Sequence, residues 1–102
     1  MKAWDVYLAK VSFEEKAGDK YRPVVILEDG TCYVLALYMT SRQKNRIEDY
    51  QLLKYREAGL QKETFVRVTR RLSLGHDAIS KKIGRLDPVD ILAIEQLAGM
   101  LK

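Results

Sequence analysis

The chain contains one histidine, one cysteine and two prolines among 102 residues, and these scarcities exclude several kinds of chemistry. A lone cysteine, Cys32, permits no intrachain disulfide, and its place in TCYVLALYMT predicts a core position in a strand rather than a nucleophile. A lone histidine, His76, cannot form a two-histidine acid–base pair, and beside Asp77 it reads as a turn or helix start. No CxxC, HExxH or carboxylate-rich loop is present, so no metal or other cofactor is expected. GxGxxG and GxxxxGK[ST] are absent too, which removes the common nucleotide cradles. The longest uncharged apolar run, VLALYM at 34–39, falls far short of the roughly 20 residues that span a bilayer. The opening MKAWDVYLAK carries Asp5 and lacks the apolar stretch of a secretory signal. A cytoplasmic protein with no membrane partner is expected.

What the chain does have is ordinary globular composition, 47% hydrophobic and 31% charged, enough for one core and a single domain over residues 1–102. Its net charge of +4 is unevenly placed. Residues 41–71 hold nine Lys and Arg against four Asp and Glu, a local excess of five that leaves −1 for the rest. A basic middle on a nearly neutral frame suggests a surface that faces a polyanion.

Hydrophobic periodicity predicts mostly strands. WDVYLAKV (4–11) alternates Trp4, Val6 and Leu8 against Asp5, Tyr7 and Ala9. A polar loop follows at 12–20. RPVVILE (22–28) and TCYVLALYMT (31–40) are apolar and β-branched, and Asp29-Gly30 between them is a strong hairpin signal. A short strand is expected near Tyr50–Leu53, a turn at Gly59, and a longer strand over 64–74 whose register near Arg70-Arg71 is ambiguous. A short helix is predicted over Asp77–Lys82, closed by Gly84 as a left-handed cap. A second helix starts at Asp87 as N-cap with Pro88 in its first turn, and Asp90 adds charge where the helix dipole favours it. Its apolar stripe is Val89, Ile91, Leu92, Ile94, Leu97, Ala98 and Leu101. Five or so antiparallel strands and a terminal helix make the fold mainly β, a small closed or half-closed barrel.

The polar groups left at strand ends are Arg22, Thr40, Ser41 and Arg42. Pro23 fixes its own φ and biases the preceding residues toward extended backbone, which aims Arg22. An antiparallel hairpin around Asp29-Gly30 brings Arg22 close to residue 37, with Thr40 and Ser41 just beyond. A guanidinium and hydroxyls then meet at one rim, beside the 12–20 loop.

These residues carry a resemblance. WDVYLAKVSF, YRPVVIL, VLALYMTSR, AGLQKETFVRV and IGRLDPVDILAI together resemble the MazF/PemK toxins of bacterial toxin–antitoxin pairs, over essentially the whole chain. The resemblance implies an SH3-like barrel with peripheral helices, acting as a homodimer on single-stranded RNA and neutralised by a cognate antitoxin with an acidic, apolar tail. It implies a metal-independent endoribonuclease selective for sequence, with Arg22 and Thr40 catalytic and Ser41 adjacent. Arg42, Tyr21, Arg70 and Arg71 would then bind substrate, and Tyr21, Tyr38 and Tyr50 offer stacking surfaces. Two departures stand out. Relatives often have a small residue before the first Asp, where this chain has Trp4. Many also carry an acid in the strand here ending Thr69-Arg70-Arg71. Two readings of another class are a non-catalytic small barrel that binds nucleic acid and an SH3-like protein-interaction module; the basic middle disfavours the latter.

Overall fold

The computed structural model describes residues 1–11, 20–41 and 47–101. The expected loop at 12–19 and Arg42 lie outside them. Six strands run β1 (Asp5–Val11), β2 (Lys20–Asp29), β3 (Val34–Thr40), β4 (Asp49–Gln51), β5 (Phe65–Leu74) and β6 (Ile79–Arg85), followed by helix α1 (Pro88–Met100). They form one antiparallel sheet in the order β4-β5-β3-β2-β1-β6. The fold is mainly β, as the alternation predicts, but the sheet is open. Among the described residues no ladder joins β4 to β6. The chain leaves the three-residue β4 at once, so the two edges approach through a loop and not through backbone pairing. No helix among the described residues is long and apolar enough to cross a membrane.

Both sheet faces bury apolar side chains. One cluster gathers Val6, Val25, Leu37, Met39 and Val66 beneath Ile94 of α1. The other gathers Ala9, Val11, Val24, Ile26, Val34 and Ala36. β1 therefore does not have the single wet face that its alternation suggests, because it contributes to both clusters.

Three expectations are corrected. The predicted helix over Asp77–Lys82 is one 3-10 turn at His76–Ala78 running into β6. Ile79 and Ile83 lie four apart, a spacing that fits a helix face. Here a register shift along the β1–β6 ladder instead sends them to different clusters. Gly84 is no cap; a Cβ there would collide with the Ala58 carbonyl. Second, Cys32 is exposed. The β2–β3 loop occupies Gly30–Tyr33, closed by Gly30 N–H donating to the Tyr33 carbonyl at 2.9 Å, and β3 begins only at Val34. Third, the helix starts as predicted, with the Asp87 side chain accepting from Val89 N–H at 2.9 Å, yet Val89 and Leu92 are exposed. The buried contact falls to Ile94, flanked by Ile91, Leu97 and Leu101.

Trp4 has φ +74° and is the one non-glycine with positive φ among the described residues. A glycine would meet no Cβ penalty there, whereas Trp4 carries one. The indole packs on the Ile94 cluster, and the backbone is held by Trp4 N–H to the Ile26 carbonyl at 2.6 Å and by Leu86 N–H to the Trp4 carbonyl at 3.0 Å.

Asp90, placed by the helix dipole argument at a helix start, does more than that argument predicts. It is fully buried. It accepts from Tyr50 Oη at 2.6 Å, from Leu53 N–H at 3.0 Å and from Lys54 N–H at 2.9 Å. One carboxylate thus joins α1 to the chain leaving β4. Asp5 does the same at the other edge, accepting from Lys2 N–H and Arg85 Nη1, both at 3.0 Å, with Lys82 Nζ at 3.6 Å.

Asp90→Ala leaves two amides and a phenol buried without their acceptor, and should cost on the order of 3 kcal/mol in chemical denaturation. Tyr50→Phe should cost roughly 1 kcal/mol, and an Asp90→Ala protein as stable as the wild type would refute the clamp. Burial pushes the Asp5 carboxyl up, but the Lys2 amide, Arg85 and Lys82 together outweigh it, so its pKa lies below the ordinary value of 3.8. A depressed carboxylate stabilises the fold above the unfolded pKa, and that stability is lost as pH falls through the folded pKa. Thermal stability should therefore drop on acidification below about pH 4, with a shallower drop in Arg85→Gln; parallel profiles would remove Asp5 as the cause.

Candidate active-site cleft

The hairpin register sets the site. Val24 pairs with Tyr38 and Val25 with Leu37, so continuing two residues outward sets Arg22 opposite Thr40. The expected partner, residue 37, is three positions off. The difference has two sources, the longer Gly30–Tyr33 loop and an irregularity between Ile26 and Glu28. The correction brings the guanidinium and the hydroxyl closer together than the sequence count did.

Arg22, Thr40 and Ser41 line a single cleft of about 550 Å³. Its floor is apolar, built from Leu8, Pro23, Met39, Leu60 and Ile83. One wall is the loop that carries Gln61 and Lys62, and the other is β6 with Lys81 and Lys82. The walls meet where two glycines remove side chains: a Cβ on Gly59 would strike the Ile83 carbonyl, and Gly59 also has φ +89°. Arg22 is half-buried with its Nε withdrawn from solvent. Thr40 is 5% exposed, set low in the cleft wall, while Ser41 is exposed.

Among the described residues, every charged one lining this cleft is a cation: Arg22, Lys62, Lys81 and Lys82. Three of the four went unnoticed in the sequence as site residues. Lys62 was counted only within the basic middle, and Lys81-Lys82 lay in a segment with helical spacing. The signal that marks Lys81 and Lys82 is their adjacency on a strand that carries a glycine of close approach, Gly84, just before its last residue.

The other predicted binding residues lie elsewhere. Tyr21, 58% exposed, and Arg70 and Arg71, both exposed, do not line the cleft. Arg71 stands opposite Leu37, and Arg70 lies in the β5 irregularity between the Leu37 and Tyr38 pairs. The guanidiniums of Arg67 and Arg70 lie 5.3 and 5.0 Å from the Tyr38 ring centre. Tyr50 is no free stacking surface, since its hydroxyl donates to Asp90. Burial first, and then that hydrogen bond, raise its pKa.

The acid that the β5 sequence lacks has a counterpart on β4. Asp49 pairs in register with Arg67 and accepts from its Nε at 2.8 Å and Nη2 at 3.2 Å. Both side chains are buried. His76 lies apart, at the hairpin end, with Nε2 2.8 Å from Asp29 Oδ1. Among the described residues no three His, Cys, Asp or Glu side chains cluster as metal ligands.

Solved structures share this fold. Toxin MazF-mt6 of Mycobacterium tuberculosis superposes with TM-score 0.74 at 17% identity, covering 94% of this chain and 93% of that one. A MazE-MazF structure from Deinococcus radiodurans gives 0.75 at 18% identity, covering 99% and 94%. An endoribonuclease in complex with its cognate antitoxin from Mycobacterial species gives 0.71 at 17% identity, covering 96% and 90%. No curated protein matches the sequence. The profile of the PemK-like, MazF-like toxins matches residues 2–99. With nearly the whole chain matched, the protein belongs to the PemK-like, MazF-like toxin family of type II toxin–antitoxin systems.

Proposed function

We propose that the chain is an endoribonuclease toxin that cleaves single-stranded messenger RNA at selected sequences without a metal ion. The observation that carries this reading is the register that sets Arg22 opposite Thr40 on a cleft whose charged lining, among the described residues, is all cationic. In this reaction the ribose 2′-oxygen attacks the adjacent phosphorus and the bond from phosphorus to the 5′-oxygen breaks. A 2′,3′-cyclic phosphate forms, the 2′-hydroxyl loses its proton, and the departing 5′-oxygen gains one. Charge accumulates on the non-bridging oxygens, and a half-buried guanidinium fixed by its strand stabilises it without reorganising. Thr40 holds a phosphate oxygen or the 2′-hydroxyl in line, and Ser41 hydrogen-bonds the neighbouring phosphate.

Tyr21, Arg70 and Arg71 contact the RNA beyond the cleft, and Arg42, outside the described residues, binds it as well. The protein acts in the cytoplasm as a homodimer. Its partner is an antitoxin whose acidic, apolar tail competes for the basic cleft; the Deinococcus radiodurans and Mycobacterial neighbours solved with MazE or a cognate antitoxin support this.

A second reading, a non-catalytic nucleic-acid-binding protein, draws on the deep burial of Thr40 and on the lack of any His, Asp or Glu among the described residues that line the cleft. One experiment separates the two. Purified protein incubated in EDTA with mixed-sequence single-stranded RNA should yield fragments with 5′-hydroxyl ends. Arg22→Ala should lower the rate about 100- to 1000-fold, and Thr40→Ala should lower it less. RNA left intact by the wild type but still bound would establish the second reading.

A further inference from the structure

The cleft has more positive charge than one scissile phosphate requires. Arg22 serves that phosphate in the reading above, and Lys82 is drawn toward Asp5 at 3.6 Å. Lys62 and Lys81 remain, both exposed, one on the loop after Gly59 and one on β6. Among the described residues neither forms an ion pair with a carboxylate. Two consecutive lysines of a regular strand would point to opposite faces. Here the β1–β6 ladder is irregular between the Tyr7–Lys82 and Ala9–Ile79 pairs, and such a shift re-aims side chains. Lys81 and Lys82 both reach the cleft as a result.

Size and lining indicate what else the cleft takes. About 550 Å³ falls within the roughly 300–1,000 Å³ that encloses a small organic ligand, well beyond a bare phosphate. The floor of Leu8, Pro23, Met39, Leu60 and Ile83 matches the flat apolar face of a nucleobase.

We propose that Lys62 and Lys81 form a second phosphate subsite, which grips the RNA phosphate one nucleotide away from the bond held by Arg22 while the intervening base lies on the apolar floor. The inference rests on reading the cleft as an RNA site, and it moves the main electrostatic grip from the Arg70–Arg71 strand to the Lys62 loop and β6. Two lysines neutralising one phosphate release its counterions, and that release has a measurable salt signature.

The test uses fluorescence anisotropy with a pool of mixed-sequence 2′-O-methyl RNA decamers, which lack the attacking hydroxyl and so report binding alone. Lys62→Gln/Lys81→Gln should bind about tenfold more weakly at low salt. The slope of log affinity against log salt should shrink by about 0.7, the contribution of one single-strand phosphate. On cleavable RNA the same variant should raise KM and leave kcat near the wild-type value, the mark of uniform binding. Lys2→Gln/Lys54→Gln removes equal charge away from the cleft and should keep the wild-type slope. Equal slopes in the two double variants would overturn the subsite. A wild type that cleaves RNA while both double variants share one slope refutes the subsite and keeps the nuclease. A wild type that binds the decamers but cuts nothing refutes the nuclease, and the slope still judges the subsite. Failure to bind the pool at all refutes both.

Discussion

Asp90 sits fully buried in the first turn of α1, and its three donors come from β4 itself, at Tyr50, and from the chain just beyond it, at Leu53 and Lys54. Withdrawing a carboxylate from water is costly, and only donors aimed at it in advance offset that cost. The chain supplies them by turning sharply after Gln51, so that two consecutive amides, of Leu53 and Lys54, face the helix. From that anchored start the loop runs to Gly59, whose missing side chain lets it press against the backbone of β6. Gln61 and Lys62 follow directly, as the cleft wall. Without the clamp the open sheet has no reason to bring its β4 edge toward its β6 edge, and the cleft loses one side. A contact remote from any chemistry therefore sets the width of the site.

How much of this was legible in the sequence depended on how local each signal was. The strands β1, β2, β3 and β5, the N-cap at Asp87 and the meeting of Arg22 with Thr40 all follow from periodicity and turn chemistry within about twenty residues. The hairpin register was misread because Asp29-Gly30 suits a two-residue turn, while the chain uses a longer loop and an extra residue near Leu27. β6 was misread because isoleucines four apart satisfy either period, and only pairing with β1 decides between them. The role of Asp90 could not be seen at all. Its partners lie 36 to 40 residues away, and a carboxylate in a first helical turn already has a sufficient local explanation. Lys81 and Lys82 were missed for the same reason, since their place in the site depends on which strand becomes the sheet edge.

The cation arrangement also explains why the missing acid on β5 need not empty the site of chemistry. Asp49 is the buried acid nearest in register, and Arg67 occupies both of its oxygens. The hydrogen bond to Asp49 is the main reason the Arg67 pKa is raised, with burial opposing it. Each partner neutralises the other, so neither sends a net field toward Thr40. Among the described residues the charged lining of the cleft stays uniformly positive, and in the proposed reaction the low local dielectric around a half-buried Arg22 would strengthen its attraction for a developing dianion. In the proposed reaction a site of this kind would lower the barrier by stabilising charge, and would leave the proton of the 2′-hydroxyl to water or to a phosphate oxygen. Its rate should then be limited by how well the backbone of the RNA is held in line. On that proposal the loop secured by Asp90 and the cleft lysines belong to one device: the carboxylate anchors the loop that carries Lys62, and the cations would hold the RNA.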